Sequence, residues 1–222
     1  MPQTASKQTA FDLRAPAPKT FNTFLLNQSN EEAVSWLRKP SKWQMPILAV
    51  IGMSGSGKSH LLDAFVTEHS ARKLQRDIPI PIGECRGQFV ALDDAQQWSE
   101  ESLFILMNMA LNGDIPNLLL TDRHSPSDWD IRLPDLRSRL KNIPVVRLAA
   151  PNEDLLEPII KTLFSEQGRQ IDSKVVEYIL VHCARDISSL EADIEHIERT
   201  ARAQKADVTK RFVAKVLRER RA

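Results

Sequence analysis

Apolar positions fall into two regimes along the chain. Between residues 21 and 150, short continuous apolar runs (Ile47 to Ile51, Phe89 to Leu92, Leu118 to Leu120, Val145-Val146) alternate with stretches of helical spacing. Leu61, Leu62, Phe65 and Val66 share one side of a helical wheel, as do Leu103, Phe104, Leu106, Met107, Ala110 and Leu111. Short apolar runs separated by amphipathic helices predict an α/β domain of three αβα layers, with a parallel sheet buried on both faces. From Pro151 onward only the helical period remains, carried by Leu155, Leu156, Ile159, Ile160 and Leu163, then Val175, Val176, Ile179 and Leu180, then Leu190, Ile194 and Ile197, then Phe212, Val213, Val216 and Leu217. Residues 151–222 therefore read as a small all-helical lid, and residues 1–20 as a polar, Pro-containing flexible tail.

Punctuation sharpens these elements. Ser29 or Asn30 is placed to cap a helix through Ala33, Val34, Trp36 and Leu37, and Ser99 to cap one that stops at Gly113. Asn152, Asp172, Asp186 and Thr209 stand at the starts of the lid helices, and Pro158 is expected to kink the first of them. Ile78-Pro79-Ile80-Pro81-Ile82 alternates like a strand, but its prolines cannot donate ladder hydrogen bonds, so it reads as an edge strand or an extended loop. In the tail, Phe11 and Leu13 are large apolar groups with no core around them. They suit a docking peptide for a partner and equally a tail packed back on its own domain.

Composition narrows the function classes. The chain of 222 residues has 30 Lys plus Arg against 29 Asp plus Glu, a net charge of +1 that gives no general field for nucleic acid or an anionic membrane. No apolar stretch approaches a membrane span, the first residues lack a signal-peptide core, and Cys85 and Cys183 match no zinc spacing. The expectation is a cytoplasmic protein with free thiols, no membrane association and no sequence-specific DNA contact.

Chemistry concentrates in Gly52-Met53-Ser54-Gly55-Ser56-Gly57-Lys58-Ser59, which fits the P-loop pattern at every specified position, preceded by a strand and followed by a helix. Such a loop aims backbone N–H groups and a helix N-terminus at one point, which suits a phosphate chain. Gly52, Ser54, Gly55, Ser56, Gly57, Lys58, Ser59 and His60 are the expected contacts for ATP or ADP. The run Phe89 to Leu92 ends in Asp93-Asp94, a Walker B pattern. Asp93 would join Ser59 in holding Mg²⁺, and Asp94 would polarise an attacking water. Thr121 and Asp122, at the next strand tip, are candidates to orient that water. Arg137 and Arg139 fit either a solvated helix face or an anion contact.

The order P-loop, Asp-Asp pair, polar strand tip, arginine-bearing helix and helical lid resembles the AAA+ class and, within it, the DnaA/Hda family of replication-initiation proteins. Thr20-Phe21-Asn22-Thr23-Phe24 with Ser29-Asn30, Leu120-Thr121-Asp122-Arg123 and Leu136-Arg137-Ser138-Arg139 are similar to that family's N-terminal, sensor 1 and arginine-finger segments. The resemblance implies that Arg139 acts in trans on a nucleotide held by a neighbouring subunit. It also implies that Gln8, Phe11 and Leu13 form a sliding-clamp-binding peptide. With no DNA-binding segment after the lid, the chain is more similar to the initiator-inactivating, Hda-type branch than to the initiator. That branch would pair with the clamp, with the initiator and with further AAA+ subunits, and would repress initiation by stimulating ATP hydrolysis on the initiator. Ser188 stands where the family's sensor 2 arginine is expected, with Arg185 nearby. A nucleotide-dependent DNA adaptor or loader and a P-loop small-molecule kinase are the rival readings.

Overall fold

A computed structural model describes residues 19–26, 30–76, 78–150, 153–183 and 186–221 of the chain. In chain order these form α1 (Glu31–Arg38), β1 (Ile47–Gly52), α2 (Lys58–His69), β2 (Arg72–Lys73), α3 (Ile82–Cys85), β3 (Val90–Leu92) and α4 (Glu100–Leu111). There follow β4 (Leu118–Asp122), α5 (Pro134–Leu140), β5 (Val145–Leu148), α6 (Glu153–Glu166), α7 (Ser173–His182), α8 (Ile187–Gln204) and α9 (Lys210–Arg221).

All strand pairs are parallel, in the order β2-β3-β4-β1-β5. Parallel pairing forces crossover helices onto both faces, and the strand residues divide accordingly by parity. Ile47, Ala49, Val90, Leu92, Leu118 and Leu120 pack with Leu103, Leu106 and Met107 of α4, Leu136 and Leu140 of α5, and Trp98 and Trp129. Leu48, Val50, Ala91 and Leu119 face the other way, onto α1, Leu61, Leu62 and Phe65 of α2, and the aromatic side chains of Phe21, Phe24 and Trp43. The expected αβα layering is therefore present, with both sheet faces buried.

β2 was not foreseen: it is a two-residue edge strand of charged residues, Arg72 and Lys73, bonded to β3. Its periodicity is too short to read. The Pro79-Pro81 stretch resolves as a loop leading into α3. Asn30 does occupy the N-cap position of α1, but its side chain makes no capping bond and donates instead to Leu25 O at 2.8 Å. Ser29 lies outside the described residues.

Beyond residue 152 the helices enclose a separate core built on Leu156, Ile160, Phe164, Val176, Ile179, Ile194 and Val213. α6 runs unbroken through Pro158. Asp172 and Asp186 cap α7 and α8 by accepting from Lys174 N and Ser189 N, each at 2.8 Å, and Thr209 Oγ1 accepts from Phe212 N at 3.3 Å at the start of α9.

Candidate functional site

The strand order fixes where a site can form. β1 lies between β4 and β5, while the chain leaving it crosses to the far edge of the sheet, so a crevice opens at the carboxyl ends of the strands. Gly52, Asp93 and Asp122 are all delivered there.

At the end of β1 the chain turns through the P-loop into α2. A Cβ on Gly52 would stand 2.5 Å from Leu148 O of β5, and one on Gly57 would meet the Phe24 ring at 3.0 Å; Gly57 also caps α2 at φ 96°, in the left-handed region. Lys58, 7% exposed, donates from Nζ to Gly52 O at 2.7 Å and Met53 O at 2.8 Å. Burial lowers its pKa, and the negative charges of Asp94 and Asp93 oppose that shift. The hydroxyl of Ser56 is buried with no hydrogen-bond partner. Ser54 and Ser59 are exposed. A buried orphan hydroxyl, a buried ammonium with three donors, and the unpaired first N–H groups of a 12-residue helix together form a cradle that fits a phosphate chain.

His60 faces the N-terminal segment, edge-on to Phe24 at 5.2 Å between centroids and 3.3 Å from Thr23 Oγ1. Desolvation lowers its pKa, as does the charge of Lys19. It braces the loop's neighbour Phe24.

The parallel register brings Asp93, Asp94, Thr121 and Asp122 to neighbouring strand tips. Register sets Leu92 beside Leu120 and Thr121 beside Val50, so Asp93 arrives level with Thr121. The fully buried Thr121 hydroxyl donates to Asp93 Oδ1, which also accepts from Asp94 N at 3.2 Å. Asp94 is exposed and holds φ 47°, an unusual left-handed conformation for a residue with a side chain. Asp122 is 5% exposed and fully engaged: Oδ2 accepts from Gln96 N at 2.7 Å, and Oδ1 from Arg123 N at 2.6 Å and His124 N at 3.3 Å. It therefore fastens the turn after Asp94 to the turn after β4. Arg123, not foreseen as a site residue, is exposed there, and its charge reaches Lys58.

Arg139 is not in this cluster. It lies on α5 against α4, donating to Asn108 Oδ1 at 2.5 Å, paired with Asp135 at 2.9 Å, and stacked 5.3 Å above the Phe104 ring. Arg137 is bound to Ile131 O. Gln8, Phe11, Leu13 and Arg185 fall outside the described residues, and so does the Ser188 side chain. Sequence reasoning placed Asp186 as a helix cap but not against the P-loop, where its Cβ stands 2.2 Å from the position of a Cβ on Gly55. Only tertiary packing brings the two together. Among the described residues no helix is long and apolar enough to cross a membrane.

No protein-family model matches the chain. It is 26% identical over 200 residues to an uncharacterized protein of Haemophilus influenzae, covering 82% of this chain and 86% of that one. It is likewise 26% identical over 252 residues to the chromosomal replication initiator protein DnaA of Gluconobacter oxydans, covering 97% of this chain and 52% of the initiator, so it spans about half of that relative's length. Among solved structures, domain III of the Thermotoga maritima replication initiation protein DnaA superposes with a TM-score of 0.75 at 16% identity, over 91% of this chain and 97% of that one. AMPPCP-bound DnaA from Aquifex aeolicus gives 0.65 at 20% identity, over 87% and 71%. The parallel five-stranded sheet with its helical appendage is thus the AAA+ αβα fold of DnaA domain III.

Proposed function

We propose that this chain is an adenine-nucleotide-binding AAA+ regulator of replication initiation. In this reading it docks on the DNA sliding clamp through Gln8, Phe11 and Leu13 and presents Arg139 in trans to ATP-bound DnaA, whose hydrolysis switches initiation off. The observation that carries the nucleotide half is the loop itself: Lys58 and the orphaned Ser56 hydroxyl lie at the strand tips that also bear the Asp93-Thr121 pair. The AMPPCP in the Aquifex neighbour supports the choice of adenine nucleotide. Ser59 and Asp93 would hold Mg²⁺, which screens phosphate charge when bound. Gly52 and Ser54 to Ser59 supply the cradle, with His60 supporting it through Phe24; Asp94 stands exposed toward the reacting end, Thr121 orients Asp93 from behind, and Asp122 braces the two turns.

The regulatory half rests on motif resemblance and on the likeness to DnaA. For Arg139 to act on a neighbour it must leave Asn108, Asp135 and Phe104. These contacts lie at a partly exposed surface, so release costs on the order of 1–2 kcal/mol, well under the roughly 4–7 kcal/mol that an arginine finger contributes.

Three measurements test the proposal. Calorimetry with Mg·ADP and Mg·ATP should show binding that Lys58→Ala abolishes; absence of binding by the unmutated chain would sink the nucleotide claim. ATP hydrolysis by purified DnaA on clamp-loaded DNA should rise on addition of this protein and not on addition of Arg139→Ala. Clamp retention should be lost in Phe11→Ala and Leu13→Ala, and equal retention of all three proteins rules out the docking peptide.

A further inference from the structure

The lid touches the phosphate loop directly. The first amide of α8, Ile187 N, donates to Gly55 O at 3.0 Å. Gly55 has φ +69°, and a Cβ there would stand 2.2 Å from Asp186 Cβ, 2.7 Å from its Oδ1 and 2.8 Å from its Cα. Asp186 is thus laid against the middle glycine of a loop whose shape serves to receive a polyanion. Lys58, for its part, is turned inward onto Gly52 O and Met53 O. The loop's own cation is engaged internally, and an acid of the lid stands at its rim.

We propose that the first turn of the lid helix is an acidic latch on the P-loop, so that docking of Asp186 against Gly55 and binding of a nucleotide's phosphates oppose each other. The inference rests on reading the loop as a phosphate cradle and adds how access to it is controlled. A carboxylate in contact with the loop raises the cost of bringing phosphate charge to the same place. The Ile187-Gly55 hydrogen bond ties α8 to the loop backbone, so any rearrangement of Gly55 that frees Lys58 for phosphate also pulls at the start of α8. From there the effect passes into the lid core, where the salt bridges Arg220–Asp193 and Arg169–Glu198, the latter at 2.9 Å, fix α8 to its neighbours. Coupling of this kind is reciprocal: nucleotide weakens lid docking to the extent that lid docking weakens nucleotide binding.

Asp186→Asn is the diagnostic change, because asparagine still caps a helix and keeps the side-chain size while the charge is lost. Measured by calorimetry on the full chain, Mg·ADP should bind Asp186→Asn about three- to tenfold more tightly than the unmutated protein, with the gap narrowing as salt is raised. Hydrogen exchange at the Ile187 amide should speed up when Mg·ADP is added to the unmutated chain. Equal or weaker binding by Asp186→Asn, or slower exchange at Ile187 on adding nucleotide, overturns the latch and leaves the nucleotide site standing. Binding by neither protein removes the phosphate cradle and the latch together, whereas binding by Asp186→Asn alone establishes both.

Discussion

Asp122 carries three backbone amides on its two carboxylate oxygens, from Gln96, Arg123 and His124. Charge-assisted bonds of this type are worth about 1.5–3 kcal/mol each, but turn amides released by truncation recover much of that by bonding water, so the net cost is that of one or two such bonds. Asp122→Ala should therefore lower the unfolding free energy by about 2–4 kcal/mol, read as a shifted urea midpoint with unchanged slope. A loss under about 0.5 kcal/mol would show that the two turns hold without it. Asp94 makes a contrasting case. Its left-handed φ of 47° is one that asparagine tolerates as readily as aspartate, so Asp94→Asn should stay within about 0.5 kcal/mol of the parent and isolate any chemical role of the carboxylate. The P-loop was legible in the sequence because its backbone and side-chain demands coincide in one short stretch. The binding work of Asp122 was not, because its amides come from two loops that only the sheet brings together.

At the scale of elements, α2 forms the contact between the P-loop and the N-terminal segment. Its Asp63 pairs with Lys73 at 2.6 Å and Lys19 at 3.3 Å, and its His60 abuts Phe24, which in turn packs on Gly57. Burial, reinforced by Lys19, holds the His60 pKa below its ordinary 6.5. The unfolded chain then binds this proton more readily than the folded one, so the contribution of neutral His60 is complete above about pH 6.5 and drains away as the pH falls through its folded value. Thermal unfolding compared at pH 7.5 and 5.5 should show a smaller acid-induced loss in His60→Gln than in the parent, about equal losses being the contrary result. Burial lifts the Asp63 pKa, but hydrogen bonding to Lys73 and the charges of Lys73 and Lys19 bring it net below 3.8, so its stabilisation fails only in stronger acid and does not confuse that comparison. Caps such as Ser99, Asp172 and Asp186 were readable because a cap is a local event. Asn30 takes the N-cap position the sequence offers, but the tertiary bond from its Nδ2 to Leu25 O was not readable from local pattern, and neither was β2, because two charged edge residues leave no hydrophobic period.

Over the whole molecule, the sheet's two hydrophobic layers and the lid's core share no residue. The helical period of Leu156, Ile160, Val176, Ile179, Ile194 and Val213 is plain in the sequence, and these residues form the lid core; the contact of α8 with the P-loop left no such trace, since nothing in the local sequence around Asp186 points to Gly55. Separate cores can open separately. Phe164 of α6 is fully buried in that core, and α6 packs on both α7 and α8. Phe164→Ala removes most of a large side chain where the surrounding helices cannot collapse fully, a loss of about 3–5 kcal/mol. Native-state hydrogen exchange should then show the amides of α6 to α9 losing protection while those of β1, β3 and β4 keep theirs. If strand and lid amides instead lose protection in step, the Ile187-Gly55 bond and the contacts around it join the two cores into one cooperative unit, and a nucleotide at the P-loop would act on the stability of the entire chain rather than on the placement of its lid.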